Sequence, residues 1–133
     1  MLTKKIKYED FNGNEVEKEF YFNLSKAEML EYDASLPGGA LEYLTFLMNN
    51  KMNGPILAAF RDLIARSYGE RLPDGRFIKS EERRDAFLAS DAYSELFMEI
   101  ISSEESAAAF VNGVVPQVKE KQKVASDNIV PIG

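Results

Sequence analysis

The sequence predicts an α+β domain, predominantly helical, with an N-terminal β-hairpin packed on five or six short helices and a flexible tail behind them. Three observations predict it. Apolar and polar residues alternate on both sides of Asn12-Gly13, the pattern of a hairpin. From Ser25 to Gly113, apolar residues recur at helical spacing and serines precede several of the runs. After Pro116 no aromatic residue and no sustained period remain.

The hairpin, about residues 3–22, has a testable register. A two-residue Asn-Gly turn sets Ile6 opposite Glu19 and mixes the two faces. A three-residue loop, Phe11-Asn12-Gly13 with Gly13 in the left-handed region, pairs residues whose numbers sum to 24. Leu2 then faces Phe22, Tyr8 faces Val16, and Ile6 and Phe20 share their face. Lys5 meets Glu19 and Lys7 meets Glu17 on the other face, as exposed cross-strand pairs do. A one-residue slip reverses the faces, so the three-residue loop is expected. In that register Phe20→Asp is far more destabilising than Glu19→Lys, a difference that thermal melts of the two variants check.

Helices are expected over about residues 26–113. Ser25-Lys26-Ala27-Glu28 is a capping box, with Leu24 and Met29 placed as a hydrophobic staple, and opens a first helix from Lys26 to about Ser35. Pro37-Gly38-Gly39 breaks it. A second helix carries Leu41, Leu44, Leu47 and Met48 on one face and ends at Asn53-Gly54. Pro55 sits in the first turn of a third, where its missing N–H is harmless. Its buried stripe is Ile56, Leu57, Phe60, Leu63, Ile64 and Tyr68, with Gly69 as a left-handed cap. Leu72-Pro73-Asp74-Gly75 is a turn, and Arg76 to Lys79 a short extended piece. Ser80, followed by Glu81 and Glu82, caps a fourth helix to about Ala89. Ser90-Asp91 restarts the chain into a fifth, with the stripe Tyr93, Leu96, Phe97, Ile100 and Ile101. Ser103 caps a short Ala-rich sixth carrying Phe110 and Val111, stopped by Gly113 and Pro116.

The 133 residues suffice for one domain, assigned to residues 1–116, and a chain of this size buries about two-thirds of its unfolded surface without needing a metal or disulfide. Residues 117–133 read as a flexible tail, mobile and dispensable for folding; docking as a strand or apolar plug on a neighbouring subunit is the alternative. Lys119, Lys121 and Lys123 against Glu120 and Asp127 leave the tail at +1, so residues 1–116 carry −7 of the net −6. That balance argues against nucleic acid, whose binding rests on Lys and Arg neutralising phosphates. The arginines Arg61, Arg66, Arg71, Arg76, Arg83 and Arg84 are interleaved with acids and read as a mixed surface. No segment reaches the roughly 18 apolar residues of a membrane span, and Met1 to Tyr8 lacks the pattern of a signal peptide.

With no His and no Cys, imidazole catalysis, thiolate nucleophiles and zinc–thiolate sites are excluded. No catalytic, cofactor-binding or metal-binding residue is assigned. The carboxylate groups Glu15, Glu17 and Glu19, Glu81 and Glu82, and Glu104 and Glu105 read as an exposed strand face and two helix first turns. The composition leans towards a binding protein. Leu41, Tyr43, Leu44, Phe46, Leu47 and Met48 cover more of the second helix than one face can bury, and that excess points to an interaction surface. The candidate partner-binding residues are Tyr43, Phe46, Met48, Met52, Phe97 and Met98, since Met-rich surfaces adapt to varied helical partners.

Several stretches carry a family resemblance. Tyr8-Glu9-Asp10-Phe11-Asn12-Gly13-Asn14 and Phe20-Tyr21-Phe22-Asn23-Leu24-Ser25-Lys26-Ala27-Glu28 resemble the tail assembly chaperones of long-tailed, non-contractile (siphovirus-type) phages and prophages of Gram-positive bacteria. So do Ser67-Tyr68-Gly69-Glu70, Asp74-Gly75-Arg76-Phe77-Ile78-Lys79-Ser80, Ala92-Tyr93-Ser94-Glu95-Leu96-Phe97 and Ala109-Phe110-Val111-Asn112-Gly113. The likeness runs over roughly residues 6–116, is weakest in the second helix and does not reach the tail. It implies a non-enzymatic protein of the host cytoplasm that coats the helical tape measure protein and keeps it soluble during tail assembly. It implies absence from the mature virion, and a frameshifted longer form that recruits the major tail tube protein. Self-association is compatible with it. The alternatives from other classes are a regulatory adaptor binding a host or phage protein through the same apolar surface, and a small carboxylate-based enzyme.

Overall fold

The computed structural model of the chain describes residues 1–116. The tail expected over residues 117–133 lies outside the described residues. The described elements are β1 (Leu2–Glu9), β2 (Glu15–Phe22), α1 (Lys26–Ser35), α2 (Ala40–Asn49), α3 (Asn53–Ser67), β3 (Tyr68–Arg71), β4 (Phe77–Ile78), α4 (Glu81–Leu88), α5 (Asp91–Ile101) and α6 (Glu104–Val114). An N-terminal hairpin with six helices is the expected α+β class.

The hairpin adopts the three-residue loop. Leu2 pairs with Phe22, Lys5 with Glu19, Lys7 with Glu17 and Tyr8 with Val16. Gly13 has φ +83°, a conformation that costs a side-chain-bearing residue about 1–2 kcal/mol. The Asp10 carboxylate accepts the N–H groups of Asn12 and Asn14, both at 2.9 Å, and so closes the loop. Ile6 and Phe22 are buried, with Leu2, Tyr8 and Phe20 packed against the same core. Thr3, Lys5, Lys7, Glu17 and Glu19 are exposed on the opposite face.

The sheet is larger than the hairpin. It has four strands in the order β1-β2-β3-β4, with Tyr21 opposite Gly69 and Phe22 opposite Tyr68. Gly69 is therefore not the left-handed cap of α3. The helix ends at Ser67, and Tyr68 turns into the strand at φ −68°, ψ 141°. Glycine is required there for close approach: a Cβ on Gly69 would lie 2.6 Å from the Phe77 ring and 3.0 Å from the Ile78 carbonyl oxygen. The buried Ser67 anchors this switch, its hydroxyl donating to the carbonyls of Leu63 and Ile64 while its own carbonyl accepts Asn23 N–H at 2.8 Å.

The capping box of α1 forms in both directions, and Ser80 and Ser103 cap α4 and α6. The break between α2 and α3 falls earlier than expected. Asn50 returns its backbone N–H and its side-chain amide to Phe46 O, at 3.0 and 2.8 Å, and Lys51 takes φ +53°. Asn53-Gly54 then opens α3 instead of closing α2. Gly113 likewise lies within α6, where a Cβ would come 2.9 Å from the Leu2 side chain; its role is to admit β1. Leu57, expected in the buried stripe of α3, is 40% exposed.

Phe22 occupies the centre of the core, its ring 5.8 Å from Tyr68, 5.7 Å from Phe87 and 5.6 Å from Phe110. Tyr68 stacks on Phe87 at 4.3 Å. Beside this cluster Lys79 joins three elements. Its ammonium donates to Asn23 O at 2.6 Å, Glu28 Oε1 at 2.7 Å and Arg66 O at 2.8 Å. Burial alone would raise the Glu28 carboxyl, but Lys79 and the Ser25 N–H and hydroxyl outweigh it and hold it below its ordinary value. The stabilisation from this lowered carboxyl is present above the ordinary carboxylate pKa and is lost as pH falls through the lowered one. Lys79→Met leaves two carbonyls short of a donor and is expected to cost about 2–4 kcal/mol, read by denaturant unfolding.

Tyr32 is 2% exposed, and its hydroxyl has no hydrogen-bond partner among the described residues. Burial, with Asp62 nearby, pushes its pKa up to about 12, so it is neutral near pH 7. Arg66 sits 5.1 Å from the ring centre, a contact that needs no hydroxyl. Tyr32→Phe is therefore expected to leave stability unchanged or raise it by up to about 1 kcal/mol, because it deletes an unpaired buried donor. A lowered melting temperature would contradict this.

A candidate apolar groove between two helices

α2 packs on α1 and α3, while α6 packs on α5 and β1. Between α2 and α6 the surface sinks into three adjoining cavities of about 700, 330 and 300 Å³. Shared walls make them one groove: Met48, Phe60, Glu104 and Ala107 border the first two, and Leu41, Leu44, Val111 and Asn112 the second and third. One end lies against Lys51, Ile56, Leu57 and Ile101. The other lies against Met29, Tyr32, Asp33 and Leu63, and includes Val115 and Pro116.

Local sequence explains the shape. The Ala107-Ala108-Ala109 stretch gives α6 small side chains, so its flank cannot fill the space towards α2. At the head of α2, Gly38 and Gly39 take φ +76° and +93°, and the Asp33 carboxylate accepts the Ala40 N–H at 2.8 Å. This contact caps α2 and ties it to α1. Leu41 then stands 69% exposed on the groove's rim, although its spacing placed it on the buried face. The apolar surplus of α2 is real: Leu41 and Phe46 are both exposed, the latter by 53%.

Of the six candidate partner-binding residues, Met48 lines the groove, half-buried. Phe46 lies in a separate hollow of about 790 Å³ beyond Leu41. Tyr43 is half-buried, and Met52 is exposed where α2 passes into α3. Phe97 packs 5.5 Å from Tyr93, and Met98 is exposed on α5. Leu41, already part of the apolar excess read on the second helix, lines the groove together with Leu57, Ala107 and Val111, which sequence reasoning did not single out for an interaction surface. The alanine run was the available signal, since small residues on one helix beside a surplus of apolar residues on another mark unfilled space.

Polar chemistry is dispersed. Arg66 pairs with Asp62, Arg76 with Asp74, Arg83 with Glu70, and Arg84 with Glu81 and Asp85, while Arg61 and Arg71 lie over the Tyr93 and Tyr21 rings. Among the described residues, no group of three or more acids could hold a metal ion, and no helix is long and apolar enough to cross a membrane. Glu104 and Lys51 stand at the groove itself.

A family model described as phage tail assembly chaperone matches residues 1–128. The match takes in all of α2 and reaches twelve residues beyond Pro116, further than the motif likeness over 6–116. No curated protein and no solved structure matches the chain.

Proposed function

The chain belongs to the phage tail assembly chaperone family, and from that premise we propose that it binds the tape measure protein and keeps it soluble during tail assembly, with the α2–α6 groove as the docking surface. The observation that supports this reading is the groove's form. It is apolar along its floor and follows α6, whose 11 residues span about 16 Å, three helical turns. An amphipathic client helix presenting apolar residues at i, i+3, i+4 and i+7 has that footprint.

In this reading the protein is non-enzymatic, acts in the cytoplasm of the bacterial host and leaves before the virion is complete. Met48 contacts the client directly, and Tyr43, Phe46 and Met52 extend the contact along α2. The siphovirus-type origin and a longer frameshifted form that recruits the tail tube protein belong to the same proposal. The test is co-expression with overlapping fragments of the tape measure protein encoded by the same genome. Stoichiometric copurification and increased solubility of apolar helical fragments are expected. Failure with every fragment, under conditions where the chaperone is folded, would remove the proposal.

A further inference from the structure

We propose that the free edge of β1 takes up an extended segment of another protein by antiparallel strand addition. The segment it fits carries acids on one side and an aliphatic residue on the other. This surface lies apart from the α2–α6 groove, and the inference stands without the groove's reading as a client surface.

The main chain is the template. β1 stands at the end of the sheet order, and among the described residues only β2 pairs with it. Asp10 N–H donates to Asn14 O at 2.8 Å, which sets the phase of the ladder. Hydrogen-bonded and non-hydrogen-bonded positions alternate in an antiparallel pair, so Leu2, Lys4, Ile6 and Tyr8 turn their backbone groups to β2. Thr3, Lys5, Lys7 and Glu9 turn theirs outward. The far side of β2 obeys the same phase: Tyr21, opposite Thr3, turns away from β1 and pairs with Gly69.

The side chains select what can be added. Thr3, Lys5 and Lys7 stand on the exposed face, and among the described residues neither of these lysines forms an ion pair. β2 already shows the complement, with Glu19 opposite Lys5 and Glu17 opposite Lys7. A strand with acids at the matching alternate positions meets the same two ammonium groups from the outer side, as favourable cross-strand pairs. The lysines also turn away a second copy, as edge lysines do. An antiparallel β1–β1 pair centred on this stretch sets Lys5 against Lys5, Lys5 against Lys7 or Lys7 against Lys7, according to register. Selection thus works by repulsion as well as attraction.

On the inner side a cavity of about 130 Å³ adjoins the edge, walled by Leu2 and Lys4 of β1, Glu99 of α5, and Ser106 and Ala109 of α6. Among the described residues none from β2 lines it, so it opens beyond β1, where an inward side chain of an added strand points. Lys4 meets Glu99 at 2.5 Å and borders the cavity as one half of an ion pair. The space suits one aliphatic side chain. In strand addition the main chain supplies affinity and such pockets supply specificity.

The probe is the peptide acetyl-Thr-Val-Glu-Val-Glu-Val-Thr-amide, titrated into the full chain and followed by amide signals and hydrogen exchange. In the free chain the amides of Lys5, Lys7 and Glu9 are expected to exchange about tenfold or more faster than those of Lys4, Ile6 and Tyr8. The peptide should slow the first set and shift its signals. Replacing both peptide glutamates by lysine, or using the variant Lys5→Gln, Lys7→Gln, is expected to weaken binding about tenfold, with Lys4, Ile6 and Tyr8 still protected. N-methylation of the two glutamate nitrogens, which face β1, should abolish binding, whereas N-methylation of the central valine should leave it. Equal binding of the two methylated peptides overturns strand addition, and the reverse preference overturns its antiparallel direction. Lys5, Lys7 and Glu9 amides already protected in the free chain also overturn the proposal; if that protection fades on dilution, the cover is a second copy. No binding at millimolar peptide overturns it and leaves the lysines as guards of the edge. None of these readouts involves the tape measure protein, so the client reading stands or falls separately.

Discussion

Phe22→Ala is expected to destabilise the domain by about 3–5 kcal/mol, the cost of removing a fully buried aromatic side chain. Phe22 is 0% exposed and brings together rings from β3, α4 and α6, so its loss opens a cavity that no single element can collapse into. Domains of this size are stable by only about 5–15 kcal/mol. The melting temperature should therefore fall by on the order of 10–20 °C. Leu30→Ala is the control, since Leu30 is 71% exposed on α1 and its truncation should change stability by about 0.5 kcal/mol or less. Similar losses for the two would place the centre of the core elsewhere.

The second large effect is on client binding. Leu41 and Leu57 border the groove from α2 and α3, and both are exposed enough to accept a carboxylate without burying it. The double variant Leu41→Glu, Leu57→Glu is expected to keep its melting temperature within a few degrees. On the proposed reading, tape measure binding should weaken by about 30-fold or more, the loss that follows when an apolar anchor worth about 2 kcal/mol is removed. Binding measured by titration with a copurifying fragment reads this directly. Unchanged affinity in a folded variant moves the client surface away from the groove. Met98→Glu, on an exposed site of α5, separates the alternatives, since it should leave groove binding intact.

Local signals carried most of the fold. The sum-to-24 register followed from alternation and one glycine: a strand's period of two requires an even sum to put Leu2, Ile6, Phe20 and Phe22 on the same face, and Gly13 as the left-handed residue of a three-residue loop selects 24. The capping box at Ser25 and the caps at Ser80 and Ser103 were legible because each satisfies N–H groups within three residues of itself. These interactions are short-range in sequence, so their residues can be read without knowing the partner elements.

What tertiary structure alone decided has a different physical origin. Gly69 is compatible with a left-handed cap or with a strand, and the contact that selects the strand comes from Phe77 and from pairing with Tyr21. Leu41 and Leu57 sit at helical spacings that suit a buried stripe, yet both face the groove, because α6 presents alanines where larger side chains would have closed over them. An apolar period states that a helix has a face to cover. Which part of that face is covered depends on the size of the residues brought against it by other elements, and in this chain the small side chains of α6 leave α2 and α3 with an apolar groove.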